Sequence, residues 1–212
     1  MPLTDEVFSP KQVEAILGEH LSTKQWESLR TLNDVDFSYE VKQEKQRFRV
    51  NVFNQDSGLA AVFRSVKNEI MELVTLGLPE IVQEFGNMEH GLVLIGGPTG
   101  AGKSTTLSAL IQFINQNFSK KIITLEDPIE VVYEHAQSMI TQREVGQHTK
   151  SFSDGLRASF REDPDVILVG EMRDRPTLYS ALMASETGHL VFGTLHTVSA
   201  DTSIDRIINA FP

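Results

Sequence analysis

The hydrophobic pattern changes character along the chain. Near the start, Val13, Ile16, Leu17 and Leu21 recur at helical spacing and predict an amphipathic helix, while "STKQWESL" reads as a second helix with a capping signal at its head. Alternation then takes over. Val35, Phe37, Tyr39 and Val41 alternate with polar residues in "VDFSYEV", Phe48, Val50 and Val52 do so in "RFRVNVF", and "GLAAVFRSV" resumes after the turn signal "NQDSG". This predicts an antiparallel meander. Beyond it, "VKNEIMELVTLGLP" leads through a Gly and a Pro to a short helix, "PEIVQEF". We therefore expect a small α+β unit over 1–66, a linker over 67–79 and a larger unit over 80–212.

From residue 91 the texture is that of alternating strand and helix. Four short apolar runs, "LVLIG", "KIITL", "VILVG" and "HLVFGTL", are each bounded by turn-like or charged residues, as strands buried on both faces of a parallel sheet should be. Helical patterns lie between them. Leu107, Leu110, Ile111, Ile114 and Phe118 share one face of the first, and Phe152, Leu156 and Phe160 share a face of another. With a glycine-rich loop at the carboxyl end of the first strand, the alternation predicts an α/β nucleotide-binding core.

Composition narrows the function classes. At 212 residues and 40% hydrophobic content the chain can bury a core, and it holds no cysteine, which removes disulfides, thiolate zinc sites and cysteine nucleophiles. No run approaches the ~20 apolar residues a membrane helix needs, and the start "MPLTDEVFSPKQ" has neither a basic flank nor an apolar stretch. The expectation is a cytoplasmic protein with no transmembrane segment. A formal charge of −10, from 19 Lys plus Arg against 29 Asp plus Glu, opposes the broad basic surface of a nucleic-acid binder.

The chemistry begins at "GGPTGAGKSTT". Gly97 and Gly102 bracket Pro98, Thr99, Gly100 and Ala101, and Lys103, Ser104 and Thr105 follow, which gives G-x-x-x-x-G-K-S between a predicted strand and a predicted helix. In such a P-loop the glycines let backbone N–H groups turn toward phosphates, where the helix start adds its positive dipole end. A lysine at position 103 reaches the β- and γ-phosphates, and a hydroxyl at 104 holds Mg2+. Two acidic clusters end other strands. "DPDVILVGEMRD" places Gly170 where an aspartate is usual and Glu171 one position later, so Glu171 is the candidate acid on the metal side; "TLEDPIE" carries Glu126, Asp127 and Glu130. His189 and His196 flank "LVFGTL", and His196, at the strand's carboxyl end, is the candidate contact to the γ-phosphate or its water. His20, His90, His135 and His148 show no metal-ligand spacing and read as solvated or core-edge imidazoles.

Together "GLVLIGGPTGAGKSTT", "ITLEDPIE", "TQREVGQHTKSF", "LRASFREDPDVILVGEMRD" and "ETGHLVFGTLHT" resemble the retraction ATPases of type IV pili, within the secretion ATPase superfamily. The resemblance runs from about Pro2 to Pro212 and is dense from residue 91. It implies a RecA-like P-loop core with a small, partial PAS-like N-terminal domain, ATP and Mg2+ as cofactors, and hydrolysis to ADP and phosphate that drives pilus disassembly and twitching motility. It also implies a homo-hexamer in the full-length form and a pilus platform protein of the inner membrane as partner, with the motor peripheral to that membrane when assembled. By the same resemblance Glu130 is the functional acid of the "TLEDPIE" box, Glu171 the atypical Walker B acid, and His189 and His196 the histidine box. Beside the family, the chain is expected to lack the start of its N-terminal domain and a helical C-terminal part.

On the predicted strands Arg49 and Arg64 lie on the polar faces, and relatives carry arginines near ATP at these two positions, so both are candidate arginine fingers. Other classes fit less well. A GTPase would need an Asn-Lys-x-Asp reader and a small-molecule kinase an Arg-rich lid, and neither is present; pilus-assembly and type II secretion ATPases share the core but generally carry a four-cysteine zinc insertion. A non-enzymatic alternative is a nucleotide-binding oligomerisation module with little ATPase activity. Phosphate release with and without Lys103→Ala separates it from an enzyme.

Overall fold

A computed structural model describes residues 8–41, 43–44, 46–66 and 69–211. The chain divides into two compact units, 1–67 and 68–212. Lys67 and Asn68, where the expected linker starts, lie outside the described residues.

In the first unit, helices α1 (Pro10–Gly18) and α2 (Thr23–Leu32) precede strands β1 (Asp34–Val41), β2 (Gln46–Gln55) and β3 (Gly58–Val66). Each helix opens on a capping box, Ser9 with Gln12 and Ser22 with Gln25, in which the serine oxygen accepts from the third residue's N–H and the glutamine oxygen accepts from the cap N–H. Asn33 in the left-handed conformation ends α2, its N–H bonded to the Leu29 carbonyl. The strands form the expected antiparallel meander in the order β1-β2-β3. Leu17, Leu21, Leu29, Phe37, Val50 and Val52 are its buried core. Ile16 departs from the predicted stripe and is 46% exposed, because Val13 and Leu17 already fill the inward face of a helix only nine residues long.

The second unit opens with a 3-10 turn (Leu73–Leu76) and α3 (Ile81–Asn87). The stretch expected to link the two units packs on this core through Leu73, with Ile70 and Leu76 beside it. Then come β4 (Gly91–Gly96), α4 (Lys103–Asn117), β5 (Lys121–Glu126), β6 (Met139–Glu144), α5 (Phe152–Ser159), β7 (Val166–Val169), α6 (Arg175–Glu186), β8 (Leu190–Leu195) and α7 (Ala200–Asn209). The sheet order is β4-β8-β7-β5-β6, with every pairing parallel. Its strands alternate between two buried faces: Ile122, Val166, Leu168 and Phe192 meet α4 residues Leu107, Leu110, Ile111 and Ile114, while Ile123, Ile167, Val169 and Val191 meet Leu156 of α5 and Leu178, Ala181 and Ala184 of α6. That two-sided burial explains the apolar runs, and the α/β expectation holds. Strand β6 was not expected from the pattern.

Parallel strands align their carboxyl ends. Gly96 pairs with Leu195, Val169 with Gly193 and Leu125 with Val169, so the segments leaving β4, β8, β7 and β5 all emerge along one edge of the sheet. Among the described residues no helix is long and apolar enough to cross a membrane.

Candidate functional site

The loop from Gly97 to Gly102 joins the end of β4 to the start of α4. Gly100 and Gly102 have φ of 81° and 89°, a backbone region that side chains oppose, and a Cβ on either would meet nothing within 4 Å, so conformation alone demands glycine there. Helices α1, α2, α5 and α6 begin on a Ser or Asp whose side chain accepts a first-turn N–H, whereas α4 begins on Gly102 without a side-chain cap. Its first-turn N–H groups are thus left for an external acceptor, the electrostatic setting of an anion site. The Lys103 ammonium donates to the carbonyls of Gly97 at 2.8 Å and Pro98 at 3.0 Å, which anchors its charge over the loop. Ser104 and Thr105 are exposed on the first turn.

Strands β7 and β8 are neighbours, and their ends bring Glu171 and His196 together: Glu171 Oε1 lies 3.0 Å from His196 Nε2. The same oxygen accepts from Arg173 Nε. That hydrogen bond from Arg173 to Glu171 is the main reason the guanidinium's pKa is raised, with the Asp127 carboxylate adding to it through its charge. The segment 170–172 is tied to both flanking strands. Gly170 N–H donates to the Leu125 carbonyl at 2.8 Å, Thr194 Oγ1 to the Gly170 carbonyl at 2.6 Å, and Met172 N–H to the Thr194 carbonyl at 3.0 Å. Beneath it Met172, 1% exposed, fills the space left by the absent side chain of Gly193.

Glu130 sits on the segment after β5. Glu126, just before it, is half-buried; loss of solvent raises its carboxyl pKa, opposed by hydrogen bonds from Thr124 Oγ1 at 2.6 Å and Gln142 Nε2 at 3.1 Å, and Glu130 adds to the rise. Burial likewise raises the Tyr133 phenol well above its usual value, with Glu126 and Glu130 contributing.

The histidines separate cleanly. His189 stands at the amino end of β8, six strand residues from His196; its ring is 5.8 Å from that of Phe160, and its Nδ1 lies 3.1 Å from the Ala184 carbonyl. The structure therefore brings His196 to the sheet edge from which the 97–102 loop emerges and leaves His189 at the far end. His135 and His148 each accept a backbone N–H at Nδ1, from Ile140 and Glu144, which assigns them to loop architecture. Sequence reading missed Arg173 and Gln142. The signal for Arg173 lay in plain view within "GEMRD", next to the acid it pairs with, while nothing in the pattern marks Gln142.

In the first unit Arg49 of β2 stands directly across from Arg64 of β3, and an open cleft beside them is lined by Asp36, Asn51 and Val62. Both arginines are exposed, and among the described residues neither forms an ion pair. Like charges facing each other across a strand pair cost stability, and an anion between them would offset that. Arg47, on the same face, is by contrast bonded to Ser38 and Glu40.

A family model described as type II/IV secretion system protein matches residues 19–210. The chain belongs to that family. Among its type II/IV secretion relatives, the type IV pilus retraction ATPase PilT of Pseudomonas aeruginosa is 48% identical over 202 residues, covering 95% of this chain and 58% of the relative. A twitching motility protein of Neisseria gonorrhoeae is 53% identical over 179 residues, 84% of this chain and 48% of the relative. A crystal structure of the pilus retraction motor PilT with bound ADP superposes with a TM-score of 0.91 at 52% identity, covering 96% of this chain and 59% of that one. The chain thus spans about half the length of the relatives it matches.

Proposed function

We propose that this chain is the catalytic part of an ATP-hydrolysing motor subunit of the pilus-retraction kind, which couples Mg-ATP hydrolysis to pilus disassembly and twitching motility. The observation that carries the reading is the meeting, along one sheet edge, of an uncapped P-loop helix with the Glu171–His196 pair, in a chain 48% identical to a pilus retraction ATPase.

Bound Mg-ATP supplies the phosphoanhydride bond to be broken and a divalent charge on its phosphate oxygens. Gly97, Thr99, Gly100, Ala101 and Gly102 would turn their backbone N–H groups to the phosphates, Pro98 would shape the loop between them, and Lys103, now on the Gly97 and Pro98 carbonyls, would reach the phosphate oxygens. Ser104 offers its hydroxyl to Mg2+ and Thr105 caps the phosphate cradle. Among the described residues no cluster of three or more His, Asp or Glu could hold a metal. That suits Mg2+, which is held mainly by substrate phosphates and water with one or two protein groups. Glu171, its oxygen fixed by His196 and Arg173, would hold the metal through its water shell, and Glu130 would orient the attacking water. Arg49 and Arg64 spread the charge of the transition state.

Residues 1–66 are the PAS-like N-terminal domain in this reading and 80–212 the RecA-like core, joined through 67–79. The full-length form assembles as a homo-hexamer in the cytoplasm and docks on a platform protein of the inner membrane, without binding nucleic acid. The test is phosphate release by the wild-type chain and by Lys103→Ala. Steady release that vanishes in the variant, with ATP affinity reduced and the fold intact, is expected. ATP binding unchanged in Lys103→Ala would sink the nucleotide assignment, and binding without release in the wild type would favour the oligomerisation module.

A further inference from the structure

The segment that carries Glu130 leaves β5 at Glu126 and rejoins the sheet at Met139. Strand β6 is one of the two edge strands of the described sheet, the one beside β5, and side chains on one of its faces catch this segment's backbone. Glu144 Oε2 accepts from the Ile129 N–H at 3.0 Å. Two residues earlier, on the same face, Gln142 Oε1 accepts from the Tyr133 N–H at 2.9 Å. The Gln142 amide nitrogen donates to the Val131 carbonyl at 2.8 Å and to Glu126 Oε1 at 3.1 Å. The segment's far end is held by buried Asn115, which donates to the Glu134 carbonyl and accepts from the Ala136 N–H.

Glu130 therefore lies between two residues whose backbones are clasped from β6, with Gln142 making three of the bonds. We propose that Gln142 is the positioning residue of Glu130. It ties the loop to Glu126, the last residue of β5, and so fixes where the Glu130 carboxylate stands at the phosphate edge. The task needs a donor and an acceptor on one side chain, which a primary amide has and an apolar isostere lacks. A carboxylate there would lose both donors and face Glu126. The inference rests on the ATPase reading above and adds to it a residue that touches neither nucleotide nor metal.

The experiment uses the whole chain and measures kcat and KM for ATP in the wild type, Gln142→Met, Glu130→Gln and the double variant. Gln142→Met is expected to lower kcat about 10- to 100-fold, because a misplacement on the order of 1 Å costs that much, with KM within about twofold. In the Glu130→Gln background the same change should add less than about twofold, since the two residues act as one unit. A general structural role would give equal fold losses in both backgrounds. Amide exchange supplies a readout independent of turnover: Tyr133 should exchange faster in Gln142→Met, while the first turn of α4 stays as in the wild type. Should Gln142→Met fail to fold, Gln142→Asn, which keeps the amide one methylene short, replaces it in the same cycle. Equal losses in both backgrounds, an unchanged kcat or an unchanged Tyr133 amide overturns the inference alone, provided the wild type turns over and Glu130→Gln is impaired. A wild type that releases no phosphate overturns the ATPase reading first and the inference with it.

Discussion

Gly193→Ala tests how the Glu171 segment is seated. An alanine methyl at 193 would overlap Met172 Cε and lie 3.1 Å from its Sδ and 3.3 Å from the Val169 carbonyl oxygen. The thioether has little room to retreat, because Met172 is 1% exposed and belongs to the same buried cluster as Leu125, Val169 and Leu195. Overpacking of this kind costs about 1–3 kcal/mol. For a chain of this length that converts to a melting temperature lower by about 2–12 °C. Met172 is the residue after Glu171 and its N–H is bonded to the Thr194 carbonyl, so the strain reaches the Glu171–His196 contact as well. Turnover should fall more than ATP affinity.

Thermal unfolding and phosphate release read the two consequences separately. The decisive variant is the double change Gly193→Ala, Met172→Val. It removes the overlapping sulfur and methyl while the alanine refills part of their space, a nearly volume-conserving exchange expected to bring stability within about 1.5 kcal/mol of the wild type. The reasoning is refuted if Gly193→Ala unfolds within about 0.5 kcal/mol of the wild type, or if the double variant is no more stable than Gly193→Ala alone.

Two further outcomes follow from the charged groups. Burial raises the Glu126 carboxyl pKa, so the folded state retains a proton that the unfolded state has lost, and stability falls as pH climbs from about 4.5 through the folded value. Glu126→Gln keeps an oxygen for Thr124 and Gln142 and removes that penalty; it should be more stable than the wild type at about pH 8, with the gap closing toward about pH 4 in parallel denaturant titrations, and a gap independent of pH would refute this. For the facing arginines, mixing Lys103→Ala chains with Arg49→Ala, Arg64→Ala chains, each inactive alone, should restore phosphate release if the fingers act across subunits; verified mixed rings without recovery would exclude that, and full activity of the double-arginine variant alone would exclude the finger role.

What was legible in the sequence is what local physics dictates. Strands β1 and β2 alternate because one face, with Phe37, Val50 and Val52, covers Leu17 and Leu29 while the other carries residues such as Arg49. The runs at β4, β5, β7 and β8 are apolar because helices cover both faces, and the P-loop is marked by glycines whose positive φ no other residue adopts cheaply. Strand β6 escaped because its side chains are used differently: "TQRE" spends Gln142 and Glu144 on loop backbone and pairs Arg143 with Glu162. The Glu171–His196 contact was not legible either, since it depends on β7 and β8 being neighbours, a pairing between residues 25 apart in the chain. His189 shows the converse hazard, a strand end that spacing alone cannot assign to the correct edge.

Strand order also sets the demands on each acid. Adjacent strands are about 4.8 Å apart, and β5 stands three spacings from β4, so the end of β5 is offset from the P-loop strand by roughly 14 Å. The end of β8 lies one spacing from β4 and that of β7 two, so His196 and Glu171 stand between the P-loop and the Glu130 segment. Glu171 can be held by its two immediate neighbours, His196 and Arg173, on a segment bonded to strands on both sides. Glu130 has no such flanking strands at its own position. In the proposed reading a carboxylate that acts beside the P-loop from three strands away has to project from a loop, and a loop holds a side chain in place only if its own backbone is tied down. The bonds from Gln142 and Glu144 to residues 126, 129, 131 and 133 meet that requirement, and they explain why β6 is polar where β4, at the other edge of the described sheet, is apolar.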